Sequence, residues 1–224
     1  MTSTKIIRIL IFITYPLVIL SELITKIFSP KGNQTTMSRD EVSAMVDVGT
    51  SEGIFKESES KIIKSCIRLS SVKAEQIMTP FIVVESANEN LTVKEFYDLK
   101  SWNFSRIPVY GSDKEYISGY IMKDDVLKEL SDDNFNTTLF NLARPILSFR
   151  EDDSAYCIWE KMLEKREHLS IIVDEYGCLR GVVSMEDIIE TMTGVEIVDE
   201  DDVAIDMQAF AKEKSKALSQ RRKA

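Results

Sequence analysis

The segment Ser118-Gly119-Tyr120-Ile121-Met122-Lys123-Asp124-Asp125-Val126-Leu127 returns without a gap as Arg180-Gly181-Val182-Val183-Ser184-Met185-Glu186-Asp187-Ile188-Ile189. The interval is 62 positions, the length of one small structural unit. Each copy reads as an apolar strand that opens after a glycine and runs into a helix starting near an aspartate. Matched positions keep their character: Ile117 with Leu179, Ile121 with Val183, Val126 with Ile188, Leu127 with Ile189. A duplicated strand–turn–helix unit implies two halves that pack on each other and share sites. That favours binding between the halves over a one-copy catalytic centre.

Both copies extend to the order β-α-β-β-α, an α+β fold. In the first, Met78-Thr79-Pro80 breaks the chain and Phe81–Val84 is the predicted first strand. Asn90 or Thr92 starts a helix, Ile107–Tyr110 and Tyr116–Met122 are strands around the Gly111-Ser112-Asp113 turn, and Asp124–Leu130 is the second helix. In the second copy the strands are Pro145–Phe149, Leu169–Val173 and Leu179–Met185. Ser154 caps the intervening helix, and Glu186–Met192 closes the repeat before Gly194. Ahead of the repeats, Ser38 and Glu41 have capping-box spacing, and a further helix is predicted from Glu57 to Leu69. The predicted organisation is an apolar membrane-associated segment at 1–30, a helical linker at 31–71, repeats at 72–136 and 137–198, and an acidic-then-basic tail at 199–224.

The N-terminus departs from the rest. Ile6 to Phe28 is apolar, and no charge falls between Ile9 and Leu20. With its flanks the stretch is long enough to span a bilayer, which needs about 20 apolar residues. A signal peptide lacks its small-residue cleavage pattern here. A half-buried hairpin or the last helix of a larger membrane domain also fits, and a membrane-embedded segment is the favoured reading. Pro16 is a kink that membrane helices tolerate. Basic residues on both sides (Lys5, Arg8; Lys26, Lys31) leave its orientation open.

Composition removes several classes of function. The net charge of −9 argues against a general nucleic-acid binder, and the basic run Arg221-Arg222-Lys223 reads as a solvated tail. Three scattered cysteines, Cys66, Cys157 and Cys178, form no zinc or disulfide pattern and are expected to be small buried apolar residues. His168 is the single histidine and reads as a polar residue at a helix end. With no Ser-His-Asp order, metal-ligand cluster or Gly-rich phosphate loop, the chain is not expected to be an enzyme.

Gly181, Ser184 and Asp187 form Gly-x-x-Ser-x-x-Asp, and with the duplication the chain resembles a pair of CBS domains over about Val72 to Val198. Further motifs narrow this: Met78-Thr79-Pro80, Ser105-Arg106-Ile107-Pro108-Val109, Asp174-Glu175-Tyr176-Gly177, the stretch through Glu190, and Gly194-Val195-Glu196-Ile197-Val198-Asp199-Glu200-Asp201. So does Glu52-Gly53-Ile54-Phe55 with Glu57 and Glu59. These resemble the CorC/CorB (hemolysin C-like) and cyclin-M branch of magnesium-transport proteins. The resemblance implies a cytoplasmic CBS pair that dimerises and binds ATP with Mg2+ behind a membrane domain. It places Thr79 and Ile107 near the base, Arg106 against phosphates, and Ser184, Glu186 and Asp187 in the same cleft.

Physical chemistry makes those roles reasonable. A carboxylate such as Asp187 accepts bonds from ribose hydroxyls, and a hydroxyl at a helix N-terminus donates to phosphate where the dipole favours an anion. Glu186 beside polyphosphate needs Mg2+ between them, the metal being held through the phosphates. Asp187 reads equally as a helix cap, and Arg106 equally as a surface ion-pair partner. Three departures from the branch stand out. Only one apolar segment precedes the repeats, so a truncated membrane domain, or a transporter membrane domain on another chain, is expected. The residues after the second repeat are too few for the further C-terminal domain of many bacterial relatives. Met122 replaces a hydroxyl residue in the first repeat, so one nucleotide site is expected. The function implied is a membrane-associated regulatory module tied to magnesium or cobalt transport or efflux; the alternative is a CBS-pair dimerisation scaffold with neither nucleotide nor transport activity.

Overall fold

A computed structural model of the chain describes residues 14–16, 18–23, 37–99 and 104–194. The chain divides into two units, residues 1–44 and 45–224. In the first, residues 14–16 and 18–23 are helical, with Tyr15, Val18, Leu20 and Leu23 exposed. Among the described residues no helix is long and apolar enough to cross a membrane. Most of the predicted Ile6–Phe28 segment, the acidic run at 199–202 and the basic C-terminus lie outside the described residues. Helix α1 (Arg39–Ser51) starts behind the expected box: Glu41 N–H donates to Ser38 Oγ (3.2 Å) and Ser38 N–H to Glu41 Oε2 (2.8 Å).

In the second unit, α2 (Glu57–Arg68) is followed by a 3-10 turn (Leu69–Ser71), α3 (Ala74–Ile77) and β1 (Thr79–Pro80). The first repeat continues as β2 (Ala87–Asn88), α4 (Val93–Asp98), β3 (Arg106–Tyr110), β4 (Ile117–Met122) and α5 (Lys123–Ser131). The second runs α6 (Leu139–Leu142), β5 (Leu147–Arg150), α7 (Ala155–Lys165), β6 (Leu169–Val173), β7 (Leu179–Ser184) and α8 (Met185–Thr193). Helix starts follow side-chain caps: Thr92 Oγ1 accepts from Glu95 N–H and Ser154 Oγ from Cys157 N–H, each at 3.2 Å. Gly194 ends α8 in the left-handed conformation, φ 67°.

One sheet has the order β2-β3-β4, and the other β1-β7-β6-β5. The first strand of each repeat lies parallel to the second (Ala87 beside Val109, Phe149 beside Ile172), and the second is antiparallel to the third. β1, though it precedes the first repeat, pairs with the second: Thr79 lies opposite Val182 and Pro80 opposite Gly181. The return exchange is Arg144, which bridges Tyr120 of β4 with N–H···O distances of 3.0 and 2.8 Å. A turn further out, Lys73 bridges Ser154 and Thr138 bridges Thr92. Ala74 N–H donates to the Asp153 carbonyl (2.8 Å) and Ala155 N–H to that of Val72 (2.8 Å). Leu139 N–H donates to that of Leu91 (2.9 Å) and Val93 N–H to that of Thr137 (2.8 Å).

Each repeat thus completes its core with residues that precede the other. Leu69, Ala74 and Ile77 are buried with Ile158, Met162, Ile172, Val183 and Ile188 of the second repeat. Leu139 is buried with Val93, Phe96, Ile107, Ile121 and Val126 of the first. The hairpin turns also meet: the repeat mates Tyr116 and Cys178 lie 3.4 Å apart, Sγ to hydroxyl oxygen, and Leu179 N–H donates to the Glu115 carbonyl at 2.8 Å.

Two expectations are corrected here. Phe81–Val84 is not the first strand; Phe81–Val83 is a 3-10 turn, and the extended residues are Thr79–Pro80 on one side and Ala87–Asn88 on the other. Pro80 has no N–H to give a ladder, so its segment suits an edge position, which the exchange supplies. The cysteines are not all buried: Cys66 and Cys157 are exposed on helix surfaces, Cys178 is half-buried in a turn, and all three are free thiols. The buried position on α2 is Ser60 and those on α7 are Ala155, Ile158 and Met162, so Cys66 and Cys157 lie off the core-facing positions.

The repeated glycines follow from the exchange. A Cβ on Gly119 would lie 2.4 Å from the Arg144 carbonyl oxygen, and one on Gly181 2.5 Å from that of Thr79. Those obstacles are backbone and cannot swing aside. At Gly111 the nearest atom is the flexible Glu89 carboxylate, at 3.2 Å. Gly119→Ala and Gly181→Ala are therefore expected to cost about 1–3 kcal/mol each in urea unfolding, the range for overpacking, whereas Gly111→Ala stays within about 1 kcal/mol of the parent.

Candidate functional site

Strand register sorts the predicted site residues by face. In β7, Gly181 and Val183 are buried toward the second core, while Val182 and Ser184 lie on the other face and are half-buried. Thr79, opposite Val182, shares that outer face, two positions from Ser184. In β3 and β4, Arg106 lies opposite Met122 and Pro108 opposite Tyr120, on one face. Ile107 pairs with Ile121 on the opposite face, inside the first core, and is 2% exposed. The structure thus brings Thr79, Ser184, Glu186 and Asp187 together around the end of β7. It sets Arg106 on the outer face of the first repeat and keeps the Ile107 side chain away from both.

Ser184 ends β7 in an extended conformation and caps α8. Its N–H and hydroxyl both donate to Asp187 Oδ2, at 2.6 and 2.7 Å, and Asp187 N–H donates back to Ser184 Oγ at 3.1 Å. The helix-cap reading of Asp187 is therefore correct as far as it goes. A carboxylate offers about four acceptor positions, so capping and ligand binding are compatible. Glu186, in the same first turn, is exposed, adding a second carboxylate to the helix N-terminus.

Residues that the motif reading did not single out link the repeats beside this site. The Tyr120 hydroxyl donates to Glu167 Oε2 at 2.8 Å, joining the outer face of β4 to the end of α7. Burial, then the bond to Glu167 and that carboxylate's charge, push the Tyr120 phenol above its ordinary pKa; Arg144 and Arg106 pull it down. His168, directly after Glu167, accepts Met185 N–H on its carbonyl at 3.0 Å, so the first turn of α8 is tied to the same segment. The mate of that bond, Lys123 N–H to the Ser105 carbonyl at 2.9 Å, holds the first turn of α5 beside Arg106. Thr79 and Arg144 each precede a proline, which favours the extended backbone both adopt at the exchanged positions.

A cap bond and a ligand bond are separable by measurement. Ser184→Ala is expected to cost about 1 kcal/mol in thermal unfolding without ligand, the usual worth of an N-cap. Thr92→Ala, at a helix start remote from β7 with the same kind of side-chain cap, should cost about the same.

Comparison with known proteins agrees with this architecture. The family "Cyclin M transmembrane N-terminal domain" matches residues 1–59, and the CBS domain family matches residues 74–132 and 141–194. A UPF0053 protein of Synechocystis is 33% identical across 96% of this chain and 62% of its own length, so the chain spans less than two thirds of that relative. The CBS domain of the bacterial CNNM/CorC family Mg2+ transporter superposes with a TM-score of 0.69 at 25% identity, over 73% of this chain and 99% of the other. A structure of the CBS domain of the bacterial CNNM/CorC family Mg2+ transporter in complex with ATP gives a TM-score of 0.58 at 26% identity, over 61% and 97%.

Proposed function

This chain belongs to the cyclin M and CorC family of CBS-pair proteins, and on that premise we propose that it is a regulatory module binding ATP–Mg2+ between its repeats. The observation that carries the reading is the exchanged strand register, which sets Thr79 opposite Val182, on the face of β7 that ends in Ser184 at the N-terminus of α8. There the Asp187 carboxylate takes the ribose hydroxyls, and the Ser184 hydroxyl and helix dipole take a phosphate. Arg106 extends the phosphate contact from the first repeat, and Thr79 stands against the base. Ile107 supports that wall through its backbone and its place in the core. Glu186 tolerates the polyphosphate only with a divalent cation between them, so Mg2+ enters on the nucleotide's phosphates. A solved relative bound to ATP supports the ligand class.

In this reading the module is tied to the membrane by its N-terminal region, keeps its CBS pair on the cytoplasmic side and pairs with a second copy. It reports nucleotide and magnesium state to a magnesium or cobalt transport or efflux step, performed by the membrane part of the protein or of a partner. Nucleotide shifts the balance between arrangements of the pair by no more than its differential affinity for them.

One observation favours a second reading. The Ser184–Asp187 box is complete without ligand, so both residues have a structural role in a scaffold that binds no nucleotide. Calorimetric titration of the full chain in detergent with ATP and MgCl2 separates the two. Saturable heat is expected, and Arg106→Ala and Asp187→Ala should each lose a charge-assisted bond of about 1.5–3 kcal/mol, roughly ten- to hundredfold in affinity. Arg106→Ala is the cleaner variant, since Arg106 caps no helix. An intact dimer giving no heat with any adenine nucleotide contradicts the proposal and favours the scaffold.

A further inference from the structure

The exchange builds two equivalent frames, and they are furnished differently. Thr79, Ser184 and Asp187 surround the end of β7. The residues in the same places around β4 are Arg144, Met122 and Asp125. The equivalence rests on pairing as well as sequence. Arg144 bridges Tyr120 as Thr79 pairs with Val182, and Lys123 N–H bonds the Ser105 carbonyl as Met185 N–H bonds that of His168. Both helices that follow, α5 and α8, span nine residues.

At the second-repeat frame the acid is held by its own helix cap, a serine. At the first-repeat frame Met122 makes no side-chain cap bond to α5. Asp125 is held instead by a cation from the exchanged segment, Arg144 Nη2 to Asp125 Oδ2 at 2.7 Å. The backbone bonds to Tyr120 fix where Arg144 enters, so its guanidinium reaches Asp125 from a set position. The pair is not deeply buried, with side chains 46% and 31% exposed, and as a surface ion pair it adds little to stability. Its effect is occupancy: the acid that would accept ribose hydroxyls already accepts a guanidinium, and a long side chain fills the place of a threonine.

We infer that Arg144, with Met122, closes the first-repeat counterpart of the nucleotide site and limits the chain to one nucleotide. Two of these three positions differ between the frames, and exchanging both removes the obstacles around Asp125. The inference rests on the nucleotide reading of the β7 frame only for the ligand class.

The test is the stoichiometry of ATP binding, with MgCl2 present, to the full chain in detergent and to the double variant Met122→Ser, Arg144→Thr. The variant is expected to bind one nucleotide more per chain than the parent, and a further Asp125→Asn to remove that gain. Should Arg144→Thr fold poorly, Met122→Ser with Arg144→Gln keeps side-chain length, removes the charge from Asp125 and carries the same expectation. A parent that binds one nucleotide and a folded variant that also binds one overturn the inference while leaving the β7 site in place. A parent that binds none and a variant that binds one support the inference and sink the β7 reading. If neither binds, both fail.

Discussion

The structure depends on a reciprocal exchange of short segments between two copies of one unit. Neither repeat closes its own sheet or fills its own core. β1 and α3 finish the second repeat, and Arg144 and α6 finish the first. Each half supplies what the other lacks: the borrowed segment covers one edge of each sheet and completes its core. The duplicated glycines are the sequence trace of this arrangement, since only a residue without Cβ lets a foreign carbonyl approach to the distances at Gly119 and Gly181.

The same exchange sets a segment from one side of the repeat pair on the strand that leads into a helix N-terminus on the other. The backbone does this twice, in equivalent ways. The side chains then break the symmetry: a threonine and a serine near one acid, an arginine and a methionine near the other. The contrast is chemical rather than architectural. A hydroxyl at a helix start can cap the helix and still face a ligand, whereas a guanidinium on a carboxylate satisfies a charge and occupies the space. The Tyr120–Glu167 bond ties the outer face of β4 to the segment between α7 and β6.

Much of this was legible in the sequence. The repeat gave the α+β unit and its order, Thr92, Ser154 and Gly194 marked helix ends through local chemistry, and Ser184 with Asp187 marked the start of α8. Pairing partners were not legible, because strand exchange is decided by tertiary packing and not by the composition of the exchanged piece. The apolar run Phe81–Val84 looked like a strand by propensity, but extended pairing falls on its neighbours Thr79–Pro80. Ile107 lay in a motif with Arg106, yet alternation along β3 sends the two side chains to opposite faces. The cysteines were read by their average tendency to be buried, and Cys66 and Cys157 lie on outward helix faces instead. Arg144 carried no recognisable motif, and its role appears only once Tyr120 is seen beside it.

Native-state hydrogen exchange on the full chain tests the reciprocal exchange most directly. The amides that cross between repeats, Ala74, Val93, Tyr120, Leu139, Arg144 and Ala155, are the reporters. If the exchange makes the two repeats one cooperative body, all six open with a common free energy equal to that of global unfolding, as do core amides of both repeats. Crossing amides that open at markedly lower free energy, with the cores of the two repeats remaining protected at separate levels, would show independent halves and contradict the account.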